Sequence, residues 1–198
     1  PQGFAFPGGP GADIWTYLTY GFLHGDWTHV IVNLLWMVAF GSAVARRFGT
    51  FRFFLLSAAA TIGGALLHQV FHFGEFVPMV GASAAVSGMM GAAVRFAFTG
   101  ARPLIGARGA DRSRYDVPAA SLLQAFSDRR VVGFVAVWFA LNFLFGSGAI
   151  MVPGAAGAIA WEAHIGGFLV GLLAFSLFDP PRRQLPEPDE PWSPHDLE

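Results

Sequence analysis

Five long apolar stretches, separated by short polar or glycine-rich breaks, set the character of this chain: Leu23–Ala45, Phe53–Phe73, Val80–Phe98, Val131–Met151 and Ala155–Phe178. Each approaches the roughly 20 residues that a helix needs to cross a bilayer. The stretches are continuously apolar instead of alternating with polar residues, which predicts helices and argues against strands. The pattern therefore predicts an all-α polytopic membrane bundle with five transmembrane helices.

Composition agrees. The 198 residues are 54% hydrophobic and only 13% charged, too little charge to clothe a soluble domain of this size. Cysteine is absent, which removes disulfides, thiol nucleophiles and thiolate metal sites. The net charge of -1 gives no sign of a nucleic-acid partner.

The distribution of charge says more than its sum. All 12 basic residues are arginines. Arg46, Arg47 and Arg52 lie between the first two segments, and Arg95 near the end of the third. Arg102, Arg108, Arg112, Arg114, Arg129 and Arg130 separate the third from the fourth; Arg182 and Arg183 follow the fifth. Alternate threading puts every one of them on a single side, with Asp13, Asp26, Glu75 and Glu162 on the other. By the positive-inside rule the arginine side is cytoplasmic. Residue 1 then lies outside, and a further helix before it is expected. The organisation read from this is an outer entry loop at 1–22, a transmembrane domain at 23–178 with a polar cytoplasmic loop at 101–128, and a proline-rich, disordered tail at 179–198.

Polar residues inside such segments are costly and mark function. In the first segment, HGDWTHVIVN places His29 and Asn33 on one helix face, with His24 in the entry turn. In the third, Val80–Gly91 (VGASAAVSGMMG) sets Ser83 about one turn below the outer surface, among Gly81, Ala82 and Ala84, with Ser87 one turn deeper. In the fifth, WEAHIGGFLVG places His164 above Gly167 and Gly171, a GxxxG pair that lets another helix come close, and Gly88 and Gly91 offer a matching groove. A hydroxyl, an imidazole and two more donors at one depth are the parts acyl transfer needs: nucleophile, proton shuttle and oxyanion donors. No aspartate stands by to orient the base, and Glu162 points to another face, so a dyad is favoured over a triad.

Three motifs in this order, HGDWTHVIVN for H-x4-H-x3-N, GASA for GxSx and AHIGGFLVG for AHxxGxxxG, resemble the rhomboid intramembrane serine proteases, with likeness from Leu18 to Phe178. The resemblance implies a rhomboid-type bundle without the family's first helix and a catalytic domain at 23–178. It implies Ser83 as nucleophile and His164 as general base and acid. The Ser83 N–H, His29 and Asn33 would form the oxyanion site, while His24, Gly81, Gly167 and Gly171 would be structural. It further implies single-span transmembrane protein substrates, membrane lipid as surroundings and no cofactor or metal. No oligomer is required, and a bacterial cytoplasmic membrane with the active site toward the outer face fits. Ser87 stands where some relatives carry an aromatic ring against the catalytic His.

Two rivals remain. A rhomboid-like pseudoenzyme would bind membrane proteins without cutting them. A metal-dependent enzyme or transporter would use His68, His72 and Glu75, for which no HExxH motif and no third ligand are evident in the sequence; interfacial histidines are the simpler account. Asn142 reads as a link between helices. The loop at 146–157 (GSGAIMVPGAAG) is a candidate cover for the site.

Overall fold

A computed structural model describes Gly9, residues 11–98, Tyr115, residues 117–150 and residues 159–180. Its elements are α1 (Ala12–Thr19), a 3-10 turn at Tyr20–Phe22, α2 (Trp27–Trp36) continuing through a π-helical turn at Met37–Gly41 into α3 (Ser42–Phe71), α4 (Ser83–Val94), α5 (Leu122–Ser127), α6 (Arg129–Gly146), α7 (Trp161–Leu173) and α8 (Phe175–Phe178). No strand occurs among the described residues.

Capping and glycine chemistry set the element bounds. Asp26 starts α2, its carboxylate accepting from the His29 N–H at 2.8 Å. Inside α3, Gly49 takes φ 76°, ψ 168°, a conformation open to glycine, and breaks the helix in two. Asp128 caps α6, and its bond to the Arg130 guanidinium holds its carboxyl below the usual carboxylate range.

Small residues then bring three helices into backbone contact. A Cβ on Gly171 would overlap the Gly88 carbonyl, one on Gly167 the Ala84 carbonyl, and one on Gly166 would sit 2.5 Å from the Gly63 carbonyl. Pairing of 84 with 167 and 88 with 171 makes α4 and α7 parallel. Pairing of Ala60 with Gly88 and of Gly64 with Ala84, and of Gly63 with Val170 and of Gly64 with Ala163, sets α3 antiparallel to both. This is the alternation that threading through a bilayer demands. The outward faces carry apolar side chains such as Leu35 (65% exposed), Val38 (65%) and Phe54 (64%), suited to lipid and not to water.

The expectation of five transmembrane helices is met in part. Helices form at all five segments, but among the described residues only Trp27–Phe71 and Arg129–Gly146 are long and apolar enough to cross a membrane; α4 and α7 are shorter. Crowded glycine and alanine contacts, not length, define those two.

Two of the segments expected as loops contain helix. Within 1–22, residues 12–22 are helical and pack on α3, with the Tyr20 hydroxyl donating to Thr61 O at 2.8 Å. Within 101–128, Ser121 and Gln124 form a capping box that starts α5, and Tyr115 is fully buried. The cause is Arg47, whose guanidinium donates to Tyr115 O and Val117 O, both at 2.8 Å, and pairs with both oxygens of Asp179. Arg95 donates to Ala120 O at 2.7 Å and Leu172 O at 3.2 Å. The tail beyond residue 180 lies outside the described residues, as does the 151–157 part of the candidate cover loop.

Candidate active site

The starts of α2, α4 and α7 meet at the end of the bundle opposite Arg47 and Arg95. Ser83 is the first residue of α4. Ala82 before it gives no side-chain cap, which leaves the Ser83 N–H among the unpaired donors of a helix start. His164 lies in the first turns of α7, three residues before Gly167, so the Ala84–Gly167 backbone contact brings the Ser83 and His164 turns side by side. Both side chains are half-buried, and no hydrogen bond joins them in this structure.

His29 and Asn33 arrive from α2. Gly81 holds φ +119°, and a Cβ there would sit 2.6 Å from both His29 Cε1 and His29 Nε2 and 3.8 Å from Asn33 Nδ2. Only glycine allows the backbone before Ser83 to lie against those two polar side chains. Asn33 is buried and donates to His29 O at 3.0 Å. His24 packs edge-on against the His29 ring, centroids 5.0 Å apart, and its Nε2 is buried without a partner. Ser87 is buried one turn below Ser83.

Asn142, expected only as a link between helices, touches the central histidine. Its Oδ1 lies 2.6 Å from His164 Nδ1, while its Nδ2 donates to Trp138 O at 2.8 Å. With the amide oriented by Trp138, Oδ1 can only accept, so His164 carries its proton on Nδ1 and presents a lone pair at Nε2. A polar residue in an apolar span was the available signal; its partner on another helix was not readable from spacing.

Glu162 does face away from the His164 side, as expected, but it is no bystander. Buried at 3% exposure, it meets His68 and His72 at the same end of the bundle. A buried acid was not expected in these segments.

These features define a class: a membrane helix bundle that gathers Ser83, His164, His29 and Asn33 at adjoining helix starts. The Rhomboid domain family model matches residues 11–179, and the chain belongs to the rhomboid family. It is 26% identical over 164 residues to the rhomboid protease GlpG of Photorhabdus laumondii, covering 81% of this chain and 46% of that protein. It is 25% identical over 167 residues to RHOMBOID-like protein 12, mitochondrial, of Arabidopsis thaliana, covering 81% and 45%. RHOMBOID-like protein 4 of the same plant is 35% identical over 81 residues, 41% of this chain and 20% of that protein. The chain spans less than half the length of these relatives.

Proposed function

We propose that the protein is an intramembrane serine endopeptidase that cuts single-span membrane proteins near the outer face of a bacterial cytoplasmic membrane. The observation that supports this is the joining of α4 and α7 through Ala84 and Gly167, which brings together the turns that carry Ser83 and His164, with the Asn142 contact at His164 Nδ1 leaving Nε2 to act as the base.

In the reaction, His164 Nε2 takes the Ser83 proton as Oγ attacks a substrate carbonyl. The tetrahedral oxyanion is held by the Ser83 N–H at the start of α4, aided by the helix dipole, and by His29 and Asn33. His164 then delivers its proton to the leaving amine. Water from the near aqueous face hydrolyses the acyl-enzyme by the same steps reversed. The Ser83–His164 bond forms as substrate excludes water, since catalytic hydrogen bonds tighten in the substrate complex. Substrate must be unwound to reach Ser83, so weak helix formers such as Gly and Ser are expected near the cut.

Cleavage of a single-span reporter in liposomes tests the proposal, with wild type, Ser83→Ala and His164→Ala compared. Cleavage by wild type alone supports the dyad. Equal cleavage by all three contradicts it. Binding of the reporter without cleavage by any of them supports a rhomboid-like pseudoenzyme instead.

A further inference from the structure

A second cluster of side chains joins the end of α3 to the start of α7. His68 Nδ1 lies 2.5 Å and His72 Nε2 3.0 Å from one and the same oxygen, Glu162 Oε1. The outer nitrogens of both rings already have acceptors: His68 Nε2 lies 2.9 Å from Val77 O, and His72 Nδ1 3.1 Å from Glu75 Oε2.

A carbonyl oxygen only accepts, so His68 carries a proton on Nε2; the Glu75 carboxylate likewise takes the His72 Nδ1 proton. Both neutral rings then aim lone pairs at a carboxylate oxygen. Three electron-rich atoms converge with nothing positive between them. Protons alone resolve this by charging His68 against the buried carboxylate and giving up the exposed His72–Glu75 contact, or by charging both rings. A single divalent cation satisfies all three atoms at once. Acceptors on the far ring nitrogens are also what metal-binding histidines normally have, because they fix the tautomer and aim the free nitrogen.

We propose that His68, His72 and Glu162 form a binding site for a divalent zinc-class ion that clamps α3 to the first turn of α7, two residues before His164. Two histidines and a carboxylate are a recognised zinc set, with bonds of about 2.0–2.2 Å and a further position left for water. Ligands at that radius stand about 3.3 Å apart in a tetrahedron, so the present 2.5 and 3.0 Å separations need open only by a fraction of an ångström. One ligand atom from each residue lies within 4.8 Å of the other two. His68 and Glu162 are buried, while the His72 side chain is 31% exposed and gives the ion a path from the aqueous side.

The test titrates chelator-stripped full chain in detergent micelles with Co2+, read by its visible absorption, and with Zn2+, read by equilibrium dialysis and thermal unfolding. One equivalent of either metal per chain and a zinc-dependent rise in Tm are expected. In His72→Ala and Glu162→Gln affinity should fall about 10-fold or more. Zinc should also shield His72 of the wild type from diethyl pyrocarbonate modification, a readout that needs no variant to fold. Absence of binding, undiminished binding by both folded variants, or loss on His29→Ala with retention in His72→Ala overturns the proposal.

Discussion

Asn142 Oδ1 accepts the Nδ1 proton of His164 at 2.6 Å, tying α6 to α7 at the end of the bundle that holds Ser83. In the proposed dyad this contact would stand where soluble serine hydrolases use a carboxylate. A neutral amide fixes the tautomer and the ring plane without burying a further charge, which suits an apolar site.

Asn142→Ala should therefore lower kcat about 10–100-fold, the usual size of such an orienting contact, while KM for a reporter substrate moves little. Asn142→Asp keeps an acceptor at that place and should lose less. Steady-state kinetics in liposomes separate the two parameters; a change confined to KM would place Asn142 in substrate binding instead.

His29 and Asn33 lie against Gly81, just before Ser83. Replacing either with Ala should cost about 10²–10³ in kcat, as removal of one oxyanion donor does, with normal helix content by circular dichroism. Gly81→Ala should be as damaging to activity, because its Cβ would need the His29 ring to move and its φ of +119° disfavours any side chain.

Gly171→Ala should destabilise the fold by about 1–3 kcal/mol, since its Cβ meets the Gly88 carbonyl, a backbone atom that cannot yield. Gly133→Ala is the contrast: in α6 its Cβ would meet nothing within 4 Å, and helix propensity favours Ala by about 0.5–1 kcal/mol. Thermal unfolding in detergent should shift down for the first and slightly up for the second.

Arg47 is buried and pairs with Asp179 while binding two loop carbonyls. Arg47→Ala should cost about 3–5 kcal/mol by leaving Asp179 and both carbonyls unmatched. Arg47→Lys should recover little of it, because an ammonium lacks the planar fork that serves all four acceptors. A Tm for the Lys variant equal to wild type would contradict this role.

Much of this architecture was legible because bilayers impose simple rules. Apolar runs marked where helices form, the arginines gave the alternation, and GxxxG spacing pointed to the close contact of α7 with α4, where Gly171 meets Gly88. What escaped were contacts between residues far apart in sequence. Gly63 and Gly64 read as ordinary small residues until α7 lies against them. Arg47 counted only as one of the arginines that mark the cytoplasmic side, although it organises Tyr115, Val117 and Asp179 from over 60 residues away. Asn142 and Glu162 each carried the cue of a polar group in an apolar setting, but 22 and 94 residues separate them from His164 and His68. Helical periodicity reports faces, not which face on another helix will meet them.

The most direct test of the account is whether Ser83 is an activated nucleophile. The full chain in micelles should be treated with a fluorophosphonate and the modified residue found by mass spectrometry. Labelling of Ser83 in wild type, strongly reduced in His164→Ala and absent in Ser83→Ala, is the predicted result. Labelling of a different serine, or equal labelling of Ser83 with and without His164, would contradict it.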